Sequence, residues 1–82
     1  MTVKFIVTRS GQVVFGDRFY QEDMHYKVAE RNGIRKEEIA NGGLADLEAK
    51  KIGGKSYDFG PYEREYLKTL LPDWDIAVPG DY

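Results

Sequence analysis

His25 is the residue of this chain best suited to acid–base chemistry, and it is the only histidine among the 82 residues. An imidazole can both accept and donate a proton near neutral pH without a perturbed pKa. The ring belongs to a predicted helix, between Met24 and Tyr26. A single helical histidine is more often a structural residue than a catalytic one, so the residue alone leaves both interpretations open.

A glycine-rich segment, residues 53–61, is the second candidate site because it leads into a predicted helix. Glycines let several backbone N–H groups turn toward one point, and such donors at the positive end of a helix suit a phosphate or another anion. Ser56 can add a hydroxyl group to this site. The alternative is that the glycines only form a tight connection between a strand and a helix.

Composition and charge exclude several function classes. The 12 lysines and arginines are scattered and the formal net charge is -2, so we expect no nucleic-acid partner. Cysteine is absent, only one histidine is present and no carboxylate spacing resembles a calcium loop, so we expect no disulfide, no metal site and no cofactor. No apolar stretch is long enough for a signal peptide or a membrane span, which favours a cytoplasmic protein without a membrane partner. The oligomeric state stays open.

Hydrophobic residues make up 41% and aromatic residues 13% of the sequence, which predicts one small folded domain over residues 1–82. β-Branched and aromatic residues around a turn predict an N-terminal β-hairpin. Asn41-Gly42-Gly43 is predicted to break the chain before the middle strands. The predicted strands cover residues 3–8, 13–15, 44–48, 51–52 and 74–78.

Two main helices complete the predicted fold. Residues 19–32 contain neither Pro nor Gly and end at a good stop signal, Asn32-Gly33. The second helix is predicted from Pro61 to about residue 71, and residues 35–40 predict one extra helical turn. The order β-β-α-β-β-α-β predicts an α/β (α+β) fold with a small mixed sheet.

Several short motifs follow one another in a characteristic order over nearly the whole chain. They are Lys4, His25, Asn41-Gly42-Gly43, Gly54-Lys55-Ser56-Tyr57-Asp58-Phe59-Gly60-Pro61, Leu71-Pro72-Asp73-Trp74 and Gly80-Asp81-Tyr82. In order and rough spacing the chain resembles the Janus or 14-kDa phosphohistidine phosphatase family. The C-terminal third carries the strongest part of this resemblance.

The resemblance implies a metal-independent hydrolase that removes phosphoryl groups from protein histidine, with a phosphorylated protein or a small phosphoryl ligand as its partner. It implies His25 as the base or the phosphoryl acceptor and Lys4 as a phosphate contact. It also implies a backbone cradle for the phosphoryl group, formed by Ser56, Tyr57 and Asp58.

Two cationic positions of the family pattern are not kept. The expected arginine after the glycine run is Leu44, and the arginine expected before the first helix falls near Phe15. Guanidinium groups bind phosphoryl oxygens through charge-assisted, often bidentate hydrogen bonds. Arg18 and Lys55 are the candidates to replace them in phosphate binding.

The missing arginines favour an alternative function, a non-catalytic module of the same fold that binds an anion or a protein. Tyr57, Tyr62 and Tyr66 would then form its tyrosine-rich surface, since tyrosine is common at interfaces. On the second helix, however, Tyr62 and Tyr66 share one face with Leu67 and Leu70, which is also the pattern of a core.

Overall fold

In a computed structural model, which describes residues 2–17, 19 and 24–80, the chain forms a mixed five-stranded sheet with two α-helices. A 3-10 turn, Lys36–Glu38, precedes the third strand. The predicted fold class and the order β-β-α-β-β-α-β are confirmed. In chain order the elements are β1 (Thr2–Thr8), β2 (Val13–Phe15), α1 (His25–Arg31), β3 (Ile39–Asp46), β4 (Lys51–Gly53), α2 (Arg64–Leu70) and β5 (Asp75–Ile76).

The sheet has the strand order β2-β1-β3-β4-β5. β1 pairs antiparallel with both β2 and β3, and β3 pairs antiparallel with β4. β4 and β5 are parallel, because α2 carries the chain back between them. β1 is therefore an interior strand, and five of its seven residues are buried.

Each helix covers a different face of β1. Phe5 is buried in a cluster with Leu67 of α2. Ile6 is buried in a second cluster with Val28 and Ala29 of α1. Because successive side chains of a strand point to opposite faces, the two helices lie on opposite sides of the sheet. We call these sides the α1 face and the α2 face.

Both α-helices are short, with seven residues each. Isolated helices of this length are unstable in water, so packing against the sheet must hold them. Within residues 2–17, 19 and 24–80, no helix has the length and apolar character needed to cross a membrane.

β3 runs without interruption through Asn41-Gly42-Gly43, so the predicted chain break at this tripeptide is wrong. Both glycines are buried. A Cβ atom at Gly43 would lie 2.7 Å from the carbonyl oxygen of Gly53 and 2.9 Å from a ring carbon of Phe5. The glycines serve the close approach of neighbouring groups inside the sheet, where a side chain has no space.

The second helix begins at Arg64 rather than at Pro61. Pro61 instead forms an isolated parallel bridge with Gly42. Tyr62, which follows it, is buried and donates its hydroxyl hydrogen to the carbonyl oxygen of Ala77. Proline lacks an N–H group and fits either a first helical turn or the edge of a sheet, so its presence alone does not distinguish the two.

The first helix begins at His25, after Met24 as its N-cap residue, and ends at Arg31. The prediction placed its start at residue 19, and residues 20–23 of that prediction lie outside the described residues. The extra helical turn predicted over 35–40 exists as the 3-10 turn, but its last two residues belong to β3.

We expect Gly43→Ala to lower the free energy of unfolding by about 1–3 kcal/mol, the usual cost of forcing a methyl group into a packed core. The new Cβ would meet the backbone of Gly53, which cannot retreat without separating β3 from β4. Urea denaturation followed by the fluorescence of Trp74 measures the change.

Gly33→Ala is a comparison with a different cause of destabilisation. Its Cβ would meet nothing within 4 Å, so its loss of stability comes from the left-handed backbone at φ +71°, which Gly43 does not have. A Gly43→Ala variant with an unchanged unfolding midpoint would contradict the close packing of β3.

Candidate functional site

His25 is held in one orientation against the centre of the sheet. It is the first residue of α1, its side chain is 7% exposed, and its Nε2 lies 2.9 Å from the carbonyl oxygen of Gly43. A carbonyl oxygen only accepts hydrogen bonds, so Nε2 carries the proton and donates it. In the neutral ring, Nδ1 is then the unprotonated nitrogen, and it is available as a base or a nucleophile.

Gly42 provides the space in which this ring lies. A Cβ atom at Gly42 would come within 2.9 Å of Cδ2 of His25 and 2.5 Å of the Phe5 carbonyl oxygen. The Cδ2–Nε2 edge of the ring therefore faces the two glycines of β3, and Nδ1 lies on the other edge. Sequence reasoning missed this role, although two adjacent glycines within an otherwise strand-like segment are a signal of close approach.

The pKa of His25 is lowered below its ordinary value, chiefly because burial disfavours the charged ring. The hydrogen bond to Gly43 acts in the opposite direction and raises the pKa. The ammonium group of Lys4 lowers it further, and the carboxylate of Asp58 raises it. Lys4 and Asp58 therefore both lie close enough to His25 for their charges to act on the ring.

Lys4 lies on the α1 face, since it is two residues before Ile6 in β1. Its direct partner across β1 and β3 is Leu44, the position at which the resemblance predicts an arginine. Directly opposed residues of an antiparallel pair have Cβ atoms about 4.5–5.5 Å apart. A cation at position 44 would therefore be a neighbour of Lys4, on the same face as His25.

The second expected arginine falls near Phe15, which does not lie on the face of His25. Phe15 pairs with Phe5, which belongs to the α2 face, and its ring stacks on that of Trp74 at a centroid distance of 5.2 Å. A side chain at this position points into the core on the side opposite His25. Arg18, the predicted substitute, lies outside the described residues.

The predicted cradle is a tight turn over residues 56–60, which occupies the place beside β3 beyond the end of β4. Ser56 donates its amide hydrogen to Gly42, at 3.1 Å, and Gly42 donates to Gly60, at 3.4 Å. Phe59 packs on the core of the α1 face. The turn is thus attached to the same glycine that makes room for His25, and it does not lead directly into α2.

Ser56 has a structural role in this turn. It is only 1% exposed, its hydroxyl oxygen accepts the amide hydrogen of Phe59 at 3.1 Å, and its carbonyl oxygen accepts that of Gly60 at 2.9 Å. The amides of Tyr57 and Asp58, at the tip, are then the candidate donors to a ligand. The phosphate-binding role predicted for Ser56 stays a prediction that would require the turn to open.

Lys55, which precedes the turn, and Tyr57, at its tip, form an exposed pair. The Nζ atom of Lys55 lies 5.4 Å from the centre of the Tyr57 ring, and Tyr57 is 91% exposed. The single tyrosine-rich surface predicted around Tyr57, Tyr62 and Tyr66 is wrong, because Tyr62 is buried. Tyr66 is 44% exposed and lies against Gly11 in the hairpin turn, so it is not a fully buried core residue either.

Comparison of the chain with known protein families, with curated proteins and with solved structures finds no match in any of the three. Among the described residues, no three side chains of the types His, Cys, Asp or Glu are grouped so that they could hold a metal ion.

We expect the ring of His25 to titrate below the ordinary histidine range, and this lowered pKa makes stability depend on pH. Unfolded, the residue has a pKa of about 6.5, so the unfolded chain binds a proton more readily than the folded protein. The free energy of unfolding therefore falls as the pH drops through about 6.5 toward the lowered pKa of the folded state. Urea denaturation at several pH values, with an NMR titration of the ring, measures both effects.

His25→Gln is the matched control, because glutamine retains a side-chain N–H donor but does not titrate. The variant should lose the part of the pH dependence that the histidine contributes. Equal pH dependence of stability in both proteins would contradict a buried, neutral His25.

Proposed function

We propose that this chain is a phosphohistidine phosphatase-like hydrolase that removes a phosphoryl group from a histidine of another protein without a metal ion. The observation that carries the proposal is the convergence of His25, Lys4 and the tip of the 56–60 turn on the α1 face of the sheet. These groups are separated by many residues in the sequence. Their convergence on one face is what supports the proposal.

The neutral ring of His25 suits either of two reaction steps. As a base, Nδ1 takes a proton from water while the water oxygen bonds to phosphorus and the P–N bond breaks. As an acceptor, Nδ1 itself bonds to phosphorus, and water releases the phosphoryl group in a second step. In both cases the electron pair of the broken P–N bond stays on the leaving imidazole, which takes up a proton from the solvent. In the second step of the acceptor route, a water oxygen bonds to phosphorus, the P–Nδ1 bond breaks and its electron pair returns to Nδ1. The bond from Nε2 to Gly43 holds the ring in the required tautomer.

Charge stabilisation is the second requirement, because phosphoryl transfer depends mainly on positioning and on stabilising the phosphoryl oxygens. Lys4 supplies one cation near His25. The amides of Tyr57 and Asp58 can add neutral donors at the tip of the turn, and Lys55 stands beside them. The carboxylate of Asp58 acts against binding of a dianion, but it raises the pKa of the imidazole and so stabilises a proton taken up there.

The second candidate function is a non-catalytic module that binds an anion or a protein on the same face. Leu44 favours it, because an apolar side chain stands beside Lys4 where phosphate binding would gain most from a cation. Tyr57 also favours it, since an aromatic side chain that is 91% exposed is a suitable contact for a partner.

Hydrolysis of a histidine-phosphorylated peptide separates the two functions. We expect the protein to release inorganic phosphate without added metal, and His25→Gln to reduce the rate by roughly 100-fold or more, the usual contribution of an acid–base group. Glutamine can still donate to Gly43, and circular dichroism verifies that the variant is folded. Amide NMR shifts on adding inorganic phosphate test binding at the turn separately.

The two readouts have four combined outcomes, of which hydrolysis without phosphate shifts at the turn would support the phosphatase but contradict the turn as its anion site. Hydrolysis that depends on His25, with saturable shifts at Tyr57 and Asp58, supports the phosphatase. Phosphate shifts at the turn without hydrolysis support the binding module. The absence of both contradicts an anion site on this face.

We expect Leu44→Arg to tighten phosphate binding by about tenfold or more, because a hydrogen bond to a charged group is worth roughly 1.5–3 kcal/mol. The new guanidinium group would stand beside Lys4 on the α1 face. Leu44→Met is the control, because it keeps an apolar chain of similar volume next to Gly54. Equal phosphate affinities of the two variants, measured by NMR titration, would show that position 44 does not face the anion.

A further inference from the structure

A pocket of about 230 Å³ lies on the side of the sheet opposite His25, between the end of β1 and the start of α2. Its walls come from Arg9, Ala40, Asn41, Glu63 and Tyr66, together with the last residues of β1. Asn41 is the partner of Val7, an α2-face residue, whereas Gly42 beside it faces His25. The pocket is therefore separate from the site of the proposed hydrolase and independent of it.

A β-bulge shapes this pocket. Val7 pairs with Asn41 but Thr8 pairs with Ile39, so Ala40 is an extra residue in β3. Bulges locally change the direction of side chains and are frequent next to functional sites. Here the bulge moves Ile39 onto the α1 face and brings Ala40 and Asn41 together at the pocket.

Asn41 has a buried side-chain oxygen, Oδ1, for which no hydrogen-bond donor is present among the described residues. A buried polar atom without a partner costs free energy, and each such atom calls for an explanation such as a ligand or a water molecule. A half-turn of the carboxamide exchanges its oxygen and nitrogen with little change of shape. Asn41 is one of the residues that line the pocket, so a ligand there can meet one end of the carboxamide, and the half-turn allows that end to be the acceptor oxygen.

Two side chains of opposite charge, Glu63 and Arg9, line the pocket. Glu63 is the N-cap residue of α2, yet its side chain makes no capping hydrogen bond. Arg9 is positioned by the bond from its Nε to the carbonyl oxygen of Glu37, at 2.9 Å, which uses one of the five guanidinium N–H donors. Val7 and the ring of Tyr66 add apolar surface between them.

We propose that this pocket binds a small zwitterion, an α-amino acid with an apolar side chain. Its ammonium group pairs with the carboxylate of Glu63 and donates to the carbonyl oxygen of Asn41. Its carboxylate pairs with the guanidinium group of Arg9, and its side chain packs on Tyr66. This assignment gives the unpaired oxygen of Asn41 a donor and uses both charges that line the pocket.

NMR titration with L-leucine tests the proposal, with leucine amide and 4-methylpentanoate as probes that lack the carboxylate and the ammonium group, respectively. We expect saturable shifts at Arg9, Asn41 and Tyr66 with leucine, and at least tenfold weaker binding of either analogue. Glu63→Gln should weaken leucine binding by at least tenfold. Asp73→Asn, which removes an exposed carboxylate elsewhere, should leave it unchanged.

His25→Gln should bind leucine as the unchanged protein does, which separates this site from the hydrolase proposal. No saturable shifts with leucine would overturn the amino-acid site. Equal binding of either analogue, or of the Glu63→Gln variant, would overturn the recognition of the zwitterion.

Discussion

The close approach of the chain at Gly42 and Gly43 is the constraint on which the rest of the structure depends. β3 lies between β1 and β4, and at these two positions a side chain would collide with Phe5, with the Gly53 backbone or with the ring of His25. The same backbone forms the hydrogen bonds that attach the 56–60 turn, and its Gly43 carbonyl orients the imidazole. The same two glycines are thus required both by the packing of the sheet and by the geometry of the candidate site.

The two-sided burial of β1 follows from the small size of the domain. A chain of 82 residues buries a modest share of its surface, so one strand has to contribute to two cores. Phe5 and Ile6 are adjacent, fully buried and assigned to different clusters. Helices of seven residues are held by these contacts rather than by their own propensity. A change in the α1 layer therefore acts directly on the position of His25, the first residue of that helix.

Local patterns were sufficient to predict the order of elements and the hairpin, because β-branched runs and turn residues act over a few positions. They failed at Gly42 and Pro61, where a partner distant in the sequence decides the conformation. Gly42 is extended because it belongs to β3 and pairs with Ile6 of β1. It has no room for a Cβ beside Phe5 and His25, and Pro61 lies beside it in a bridge rather than in a helix. The resemblance implied a site that contains Lys4, His25 and the turn, but no local signal reveals that Ser56 is buried. Nor does the sequence show that Asn41 and Gly42, adjacent in the chain, serve opposite faces.

Phosphoryl transfer at His25 would be limited by the small amount of positive charge nearby rather than by the state of the imidazole. Burial and Lys4 favour the neutral ring, and the Gly43 carbonyl fixes its tautomer, so a base or nucleophile is already prepared. A dianionic phosphoryl group, however, needs positive charge, and here Asp58 opposes Lys4. Leu44 occupies the one position whose partner across the strands is Lys4, and its side chain is in contact with Gly54. For the proposed hydrolase, the balance between catalysis and simple binding would therefore be set at the pair Lys4 and Leu44, since a base transfers a phosphoryl group only when neighbouring charges hold that group in place.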